Sequence, residues 1–200
     1  FSEWDLRGLR NQRGVLIGTA RANPGKGITC PADLDDPALC VRLKRVHAAV
    51  TDLGVEALVS IGGDDTLKTA NLLYQFQERL PEDAPRFRII HLPKTIDNDL
   101  VHTDHTPGYG SAARFVALAV MGAGRDAETM GRAAPVTIIE VMARDAGWLA
   151  ASAALAKREE RDGPHLVCVP EVAIDVERFL DGVEDAYGRF GFAVAVVAEN

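Results

Sequence analysis

Cysteine is scarce. Cys30, Cys40 and Cys168 are the only three in 200 residues, widely spaced and without a C-x-x-C pair. An odd, scattered set excludes a disulfide framework and argues against a cysteine zinc site. Cys168 lies in an apolar run and reads as a small core residue, and the other two as spare thiols. The five histidines lack metal spacing. No stretch reaches the ~18–20 apolar residues of a membrane span, and no signal-peptide pattern is found. Positive charge is also in short supply, with 22 Lys and Arg against 29 Asp and Glu and a formal net charge of -7. Nucleic acid and anionic membrane repel such a chain, so neither is expected as a partner. Anionic small molecules stay open, since they need only a local cluster of cations and N–H groups. Low-complexity tracts and internal repeats are missing too, which argues against disorder. The expected compartment is the cytoplasm.

What the sequence has is alternation. Short apolar runs at Gly14–Thr19, Ala57–Ile61, Arg88–Leu92, Val136–Val141, Leu166–Val169 and Phe192–Val197 are separated by longer segments with helical spacing. Continuous apolar runs suit parallel strands buried on both faces. The helical segments are Pro37–Leu53, Thr66–Leu80, Tyr109–Met121, Gly147–Lys157 and Val176–Tyr187. Gly54 is placed to end the first of them and Asp175 to cap the last. Strand and helix in turn predict a doubly wound α/β fold, mostly parallel, with helices on both faces. The Gly-, Pro- and Asp-rich stretch 21–36 reads as a lid or surface loop.

Doubly wound sheets bind ligands beyond the carboxyl ends of their strands, so polar loops directly after apolar runs carry the interest. Three stand out. Ser60-Ile61-Gly62-Gly63-Asp64-Asp65-Thr66 follows a strand and opens a helix. Its glycines admit a ligand close to the backbone, and the helix start offers N–H groups to a phosphate. Adjacent carboxylates there oppose a phosphate unless a divalent cation lies between. A tight turn with an acidic first helical turn is the structural alternative.

Leu92-Pro93-Lys94-Thr95-Ile96-Asp97-Asn98-Asp99 is the second. Lys94 can meet a phosphate as a point charge. Asp97 can take a proton from a hydroxyl, with Asp99 to orient it or help a metal. An Asx-rich turn is the plainer account. In Glu140-Val141-Met142-Ala143-Arg144-Asp145-Ala146-Gly147-Trp148, Arg144 at a strand end can grip an anion or pair with Asp145 or Glu140. Trp148 reads as core. Arg21 can close over a donor phosphate, Glu171 can anchor a loop, and Pro107-Gly108-Tyr109 reads as a helix start.

In this order the segments resemble the phosphofructokinase family. Ile-Gly-Gly-Asp-Asp-Thr at 61–66 resembles its donor-phosphate and magnesium loop. Pro-Lys-Thr-Ile-Asp-Asn-Asp at 93–99 is similar to its catalytic loop, and Ile139–Trp148 to its sugar-phosphate loop. Ile17–Arg21, Val169-Pro170-Glu171 and Val197-Ala198-Glu199 fall in the family's order. The resemblance implies a transferase making fructose 1,6-bisphosphate from fructose 6-phosphate with Mg²⁺, in a homo-oligomer. By it, Asp97 is the base on the sugar 1-hydroxyl, and Thr95 contacts the moving phosphoryl group. Asp64 binds the metal. Gly63, Asp65, Lys94 and Arg21 face the donor. Met142, Ala143, Arg144 and Glu199 contact the sugar phosphate, with Lys94 and Asp99 supporting the chemistry.

Compared with the family, residues 1–134 correspond to a donor lobe lacking its first strand, and 135–200 to the start of a sugar-phosphate lobe. The piece alone is expected to be inactive. ATP-using members commonly carry Gly where Asp65 and Lys94 stand. A carboxylate at 65 repels the α-phosphate of ATP, and a lysine at 94 compensates a small, dense pyrophosphate. Pyrophosphate is therefore the expected donor. A pyrophosphate-linked reaction lies nearer equilibrium than an ATP-linked one, so glycolysis and gluconeogenesis are both expected roles. Two departures stand out: Ala143 replaces the usual Gly, and Pro135 stands where many members carry Arg. They bring up a catalytically silent sugar-phosphate-binding subunit as an alternative. The retained Asp64, Thr95, Asp97 and Asp99 argue against it.

Overall fold

A computed structural model of the chain describes residues 22–199, together with Gly8. The expected strand at 14–19 and Arg21 lie outside the described residues. Strands β1 (Ala57–Gly62) and β2 (Arg88–Pro93) pair in parallel, Ala57 opposite Arg88 and Gly62 opposite Pro93. Helix α1 (Val41–Asp52) precedes β1, and α2 (Asp64–Glu78) connects it to β2. Further on come α3 (Tyr109–Met130), β3 (Val136–Val141), α4 (Trp148–Ser152), β4 (Leu166–Cys168), α5 (Val176–Phe190) and β5 (Ala193–Ala198). The last three strands form a second parallel sheet in the order β3-β5-β4. Parallel strands joined through helices make this an open α/β fold, as the alternating pattern predicts.

Local chemistry explains the ends of the helices. Gly54 takes φ +66° after α1. Its N–H reaches the Thr51 carbonyl at 2.9 Å, and the Val55 N–H reaches Val50 at 3.2 Å. That crossed pair is a Schellman stop, which glycine reaches without a Cβ penalty. Asp175 caps α5 by accepting from the Glu177 and Arg178 N–H groups. Of the two readings of the stretch 21–36, a lid or a surface loop, its described part fits the surface loop and is tied down. Pro31–Asp35 forms a 3-10 turn, Leu34 is buried in the first core, and the Arg79 guanidinium holds Asp35 at 2.9 Å and the Pro31 carbonyl at 2.8 Å.

Each sheet has its own core. Leu34, Leu43, Leu73, Phe76 and Phe87 close under one face of β1 and β2. Both strands were expected to be buried on both faces. Instead Val59, Ile61, Ile90 and Leu92 on their other face are about half exposed. In the second sheet Val196 meets Val116 and Val120 of α3, and Val194 meets Ala127. Leu166, beside Ala195 on the opposite face, lies so close to Gly182 of α5 that a Cβ there would fall 2.8 Å from it. Helices therefore cover both faces of this sheet. Helix α3 falls within the residues expected to form the first lobe. Helix α3 buries Val116, Val120 and Ala127 against β5 and the residues around α4, so it belongs with the second sheet. Trp148 departs from its reading as core and is 53% exposed at the start of α4. Cys40 is buried and Cys168 half-buried.

Candidate active site

The first two polar loops meet because β1 and β2 end side by side. The Lys94 N–H donates to the Gly62 carbonyl at 2.8 Å, carrying the ladder past the strand ends. Gly62 is followed by a turn so tight that a Cβ on it would stand 2.4 Å from Thr66 Oγ1. Only glycine fits there. Gly63 then lies against Thr95, where a methyl would sit 3.5 Å from the Thr95 Cβ. Helix α2 starts directly after Gly63, and no side chain caps it. Its first N–H groups are left for a ligand, with the positive end of the helix dipole behind them.

The loop after β2 is held from within. Asn98 takes φ +58°, a left-handed conformation Asn tolerates. Its Oδ1 accepts from the Thr106 N–H at 2.8 Å, and its Nδ2 donates to the Asp104 carbonyl at 3.2 Å. The fully buried Thr106 donates its hydroxyl to the Thr95 carbonyl at 2.7 Å. Thr95 in turn bridges to Gly108, whose φ of +104° opens α3. The loop 95–108 is thus closed by hydrogen bonds at both ends. Asn98→Ala strands the buried Thr106 N–H and puts a methyl in left-handed space. The expected loss is about 2–4 kcal/mol of unfolding free energy, read from urea denaturation.

These loops enclose a polar cavity of about 420 Å³ lined by Gly63, Asp64, Asp65, Thr66, Thr95, Asp97, Asp99, Arg144 and Asp145. Five carboxylates face one guanidinium across it. The Thr95 hydroxyl oxygen accepts from the Asp97 N–H at 3.1 Å, which leaves its own proton free. Burial pushes the Asp97 carboxyl above the usual carboxylate range, and the charges of Asp99 and Glu199 push the same way. Lys94 and Arg144 oppose them. Asp99 Oδ1 is buried without a protein partner. Asp64 pairs with Lys68 one helical turn on. Among the described residues neither Lys94 nor Arg144 forms an ion pair, so the pairing of Arg144 with Asp145 or Glu140 is not found.

The third loop is pinned by two carboxylates. Glu199 accepts from the Ala143 N–H at 3.1 Å, and Glu171 from the Gly147 N–H at 2.7 Å, the anchoring role expected of it. Ala143 takes φ +82°, so the departure from glycine puts a buried methyl on left-handed backbone. Met142 is 57% exposed beside it. Of the predicted residues, Gly63, Asp64, Asp65, Thr95, Asp97, Asp99 and Arg144 line one cavity. Lys94 and Glu199 act on it through Asp97, while Met142 and Ala143 sit on its third loop. Arg21 lies outside the described residues. Lys68 and Thr106 were not foreseen. The spacing of Lys68 from Asp64, i to i+4, was a usable signal. Nothing in the sequence singled out Thr106.

The donors around Asp64 are hard oxygens that suit Mg²⁺. No group of three or more His, Cys, Asp or Glu among the described residues could hold a metal unaided. Mg²⁺ characteristically takes one or two carboxylates and completes its shell with water and phosphate oxygens. Asp64 at a bare helix start fits that pattern.

A cleft at the carboxyl ends of parallel strands, with a free helix start, a raised carboxyl and an arginine across from them, defines an α/β protein with a polar ligand site where open α/β sheets carry theirs. The chain belongs to the phosphofructokinase family, whose model, "Phosphofructokinase", matches residues 1–200. It is 44% identical over 140 residues to a pyrophosphate–fructose 6-phosphate 1-phosphotransferase of Rhodospirillum rubrum, covering 70% of this chain and 33% of the relative. It is 34% identical over 195 residues to a sulfofructose kinase of Alkalicoccus urumqiensis, covering 98% of this chain and 49% of the relative. An ATP-dependent 6-phosphofructokinase 3 of Bacteroides thetaiotaomicron matches at 31% over 201 residues, covering 100% of this chain and 53% of the relative. Among solved structures, a pyrophosphate-dependent phosphofructokinase from Marinobacter aquaeolei superimposes with a TM-score of 0.76 at 29% identity, covering 98% of this chain and 45% of that one. The chain thus spans a third to about a half of the length of these curated relatives. No helix among the described residues is long and apolar enough to cross a membrane.

Proposed function

We propose that the protein transfers a phosphoryl group from pyrophosphate to the 1-hydroxyl of fructose 6-phosphate, with Mg²⁺ bound at Asp64. One observation carries the donor choice. Asp65 lines the cavity, and Lys94 belongs to the loop that carries Thr95, Asp97 and Asp99 into it, so both charges that separate pyrophosphate from ATP stand on the loops that form the reacting site. The relatives include both donor classes, and these two side chains favour pyrophosphate.

The chain's own residues supply the rest. The start of α2 receives the donor phosphates on its free N–H groups. Mg²⁺, once bound, would screen their charge. Asp97 takes the proton of the 1-hydroxyl as the new C–O–P bond forms and the bridging P–O bond of pyrophosphate breaks, releasing inorganic phosphate. The free proton of Thr95 donates to the moving group, where charge builds in the transition state. Lys94, three residues before Asp97 in the same loop, supplies a positive charge that favours its ionised form. Arg144 holds the sugar phosphate across the cavity, and Glu199 keeps one oxygen for the sugar while the other fixes Ala143. A homo-oligomer in the cytoplasm is the expected setting.

The test follows fructose 1,6-bisphosphate formation by the full-length polypeptide, with Mg²⁺ and pyrophosphate or ATP in separate reactions. Turnover with pyrophosphate alone supports the reading, and turnover with ATP alone overturns the donor assignment. The raised Asp97 carboxyl adds a pH signature. The ionised base accumulates as pH rises, so kcat/KM climbs through an acid limb set by Asp97. Asp99→Asn removes one of the charges holding that carboxyl up, so the limb moves to lower pH. A limb unmoved in the variant would assign it to another group.

A further inference from the structure

The cavity has a charge problem that its lining does not solve. Asp64, Asp65, Asp97, Asp99 and Asp145 face it against Arg144 alone. Pyrophosphate would add several more negative charges. A single divalent cation and Lys94 leave the sum well negative, and like charges this close repel strongly in a partly dry site.

A further cation stands at the rim. Lys68 sits one turn into α2, and helical side chains lean back toward the N-terminus. Its ammonium reaches back over the start of the helix and pairs with the Asp64 carboxylate. It lies within electrostatic reach of Asp65 and Asp145 as well, so three of the five cavity carboxylates bear on it. The pair is solvent-exposed, 68% for the lysine side chain and 43% for the aspartate. Exposed i,i+4 pairs contribute little to stability. Lys68 is therefore free to leave Asp64 at small cost, on a long and flexible stem that ends beside the free N–H groups of the helix start.

We propose that Lys68 is a donor-binding residue: it occupies the Asp64 carboxylate as a stand-in cation and turns onto the pyrophosphate when the divalent metal takes that carboxylate. The exchange keeps a positive charge on Asp64 throughout and delivers a second one to the donor as it arrives. It rests on the pyrophosphate reading above and adds a residue to it. A lysine that only braces α2 would do neither.

Calorimetry on the full-length polypeptide separates the two roles, with Lys68→Met, and Lys68→Arg as the charge-keeping variant. With Mg²⁺ present, Lys68→Met is expected to raise the Kd for pyrophosphate at least tenfold, Lys68→Arg to stay within about threefold, and fructose 6-phosphate to bind both variants as it binds the wild type. Without pyrophosphate, Mn²⁺ alone is expected to bind Lys68→Met at least threefold more tightly, because its competitor for Asp64 is gone. Both changes are required. An unchanged Kd for either pyrophosphate or Mn²⁺ in a Lys68→Met protein with wild-type circular dichroism and thermal melting overturns the proposal. A Lys68→Met protein that does not fold overturns it as well, since Lys68 would then be a structural brace. Wild-type protein that binds Mg–ATP but no pyrophosphate would instead overturn the donor reading, and this proposal with it.

Discussion

Asp97→Asn in the full-length polypeptide is expected to lower kcat by about 10²- to 10⁴-fold, the usual contribution of a positioned base, while leaving the fold as stable or more so. The amide cannot take the proton of the 1-hydroxyl, yet it is nearly isosteric. The Thr95 hydroxyl would still accept the residue 97 N–H, so the loop keeps its shape. The stability half of the result follows from linkage. Burial, Asp99 and Glu199 raise the Asp97 carboxyl in the folded state. A carboxyl raised on folding binds its proton more tightly in the native state than in the unfolded one. Its favourable contribution is complete below the unfolded pKa and is lost as pH rises through the folded pKa. At neutral pH the ionised group therefore opposes folding, and the amide removes that opposition. Sites whose function requires a destabilised charge commonly show this trade. Kinetics and a thermal melt of the same preparation check both halves. A large fall in kcat with a lower Tm would mean that the carboxylate is structural.

The largest expected change in specificity comes from Asp65→Gly combined with Lys94→Gly. Lys94 is exposed and has no protein partner among the described residues, and Asp65 is exposed in the first turn of α2. Neither change opens the core. Losing the ammonium removes a charge-assisted contact to pyrophosphate, worth about 1.5–3 kcal/mol, so kcat/KM for pyrophosphate falls by roughly 10- to 100-fold. Losing the carboxylate removes the repulsion facing a third phosphate, so ATP gains. The two effects multiply in the ratio of kcat/KM values, which is expected to move toward ATP by at least 10²-fold. Each single variant is expected to move it part of the way. A ratio that stays put in the double variant would place donor selection elsewhere in the protein.

Much of this site was legible because its loops follow strands. Period and apolar content marked β1, β2, β3, β4 and β5 within a residue or two of their observed bounds. Once the strands are placed, a parallel sheet brings their carboxyl ends together without further information. That is why Asp64, Thr95 and Asp97, at the ends of β1 and β2, line one cavity, whereas Arg144 follows β3 of the second sheet and reaches it through tertiary packing. Tertiary packing was less visible. Helix α3 was expected to stop near Met121, at the first of two glycines, but runs to Met130. Gly124 is buried in it. The helix is retained because its apolar face lies on the second sheet, and burial outweighs the roughly 1 kcal/mol each glycine costs a helix. Trp148 was read as core because tryptophan more often packs than binds, but its place at the start of α4 leaves it half in solvent. Thr106 has no local signal, since its role depends on Asn98 and Thr95 folding back toward it. Ala143 was the reverse. The family's glycine forewarned of left-handed backbone, and φ +82° is what the position adopts.

Helix α3 links the reacting loop to a distant core. Its first turn is fastened to the loop after β2 through Gly108 and Thr95, and its middle and far turns lie under β5. With 22 residues at 1.5 Å each, it is about 33 Å long. A rod of that length is a lever: a tilt of about 2° at one end displaces the other by about 1 Å. Misplacement by about 1 Å is enough to cost roughly 10²-fold in rate. If Asp97 is the base, as proposed, its alignment would depend in part on how snugly Val120 and Ala127 seat. Drift in those aliphatic positions would retune turnover without altering a single residue that meets the reactants.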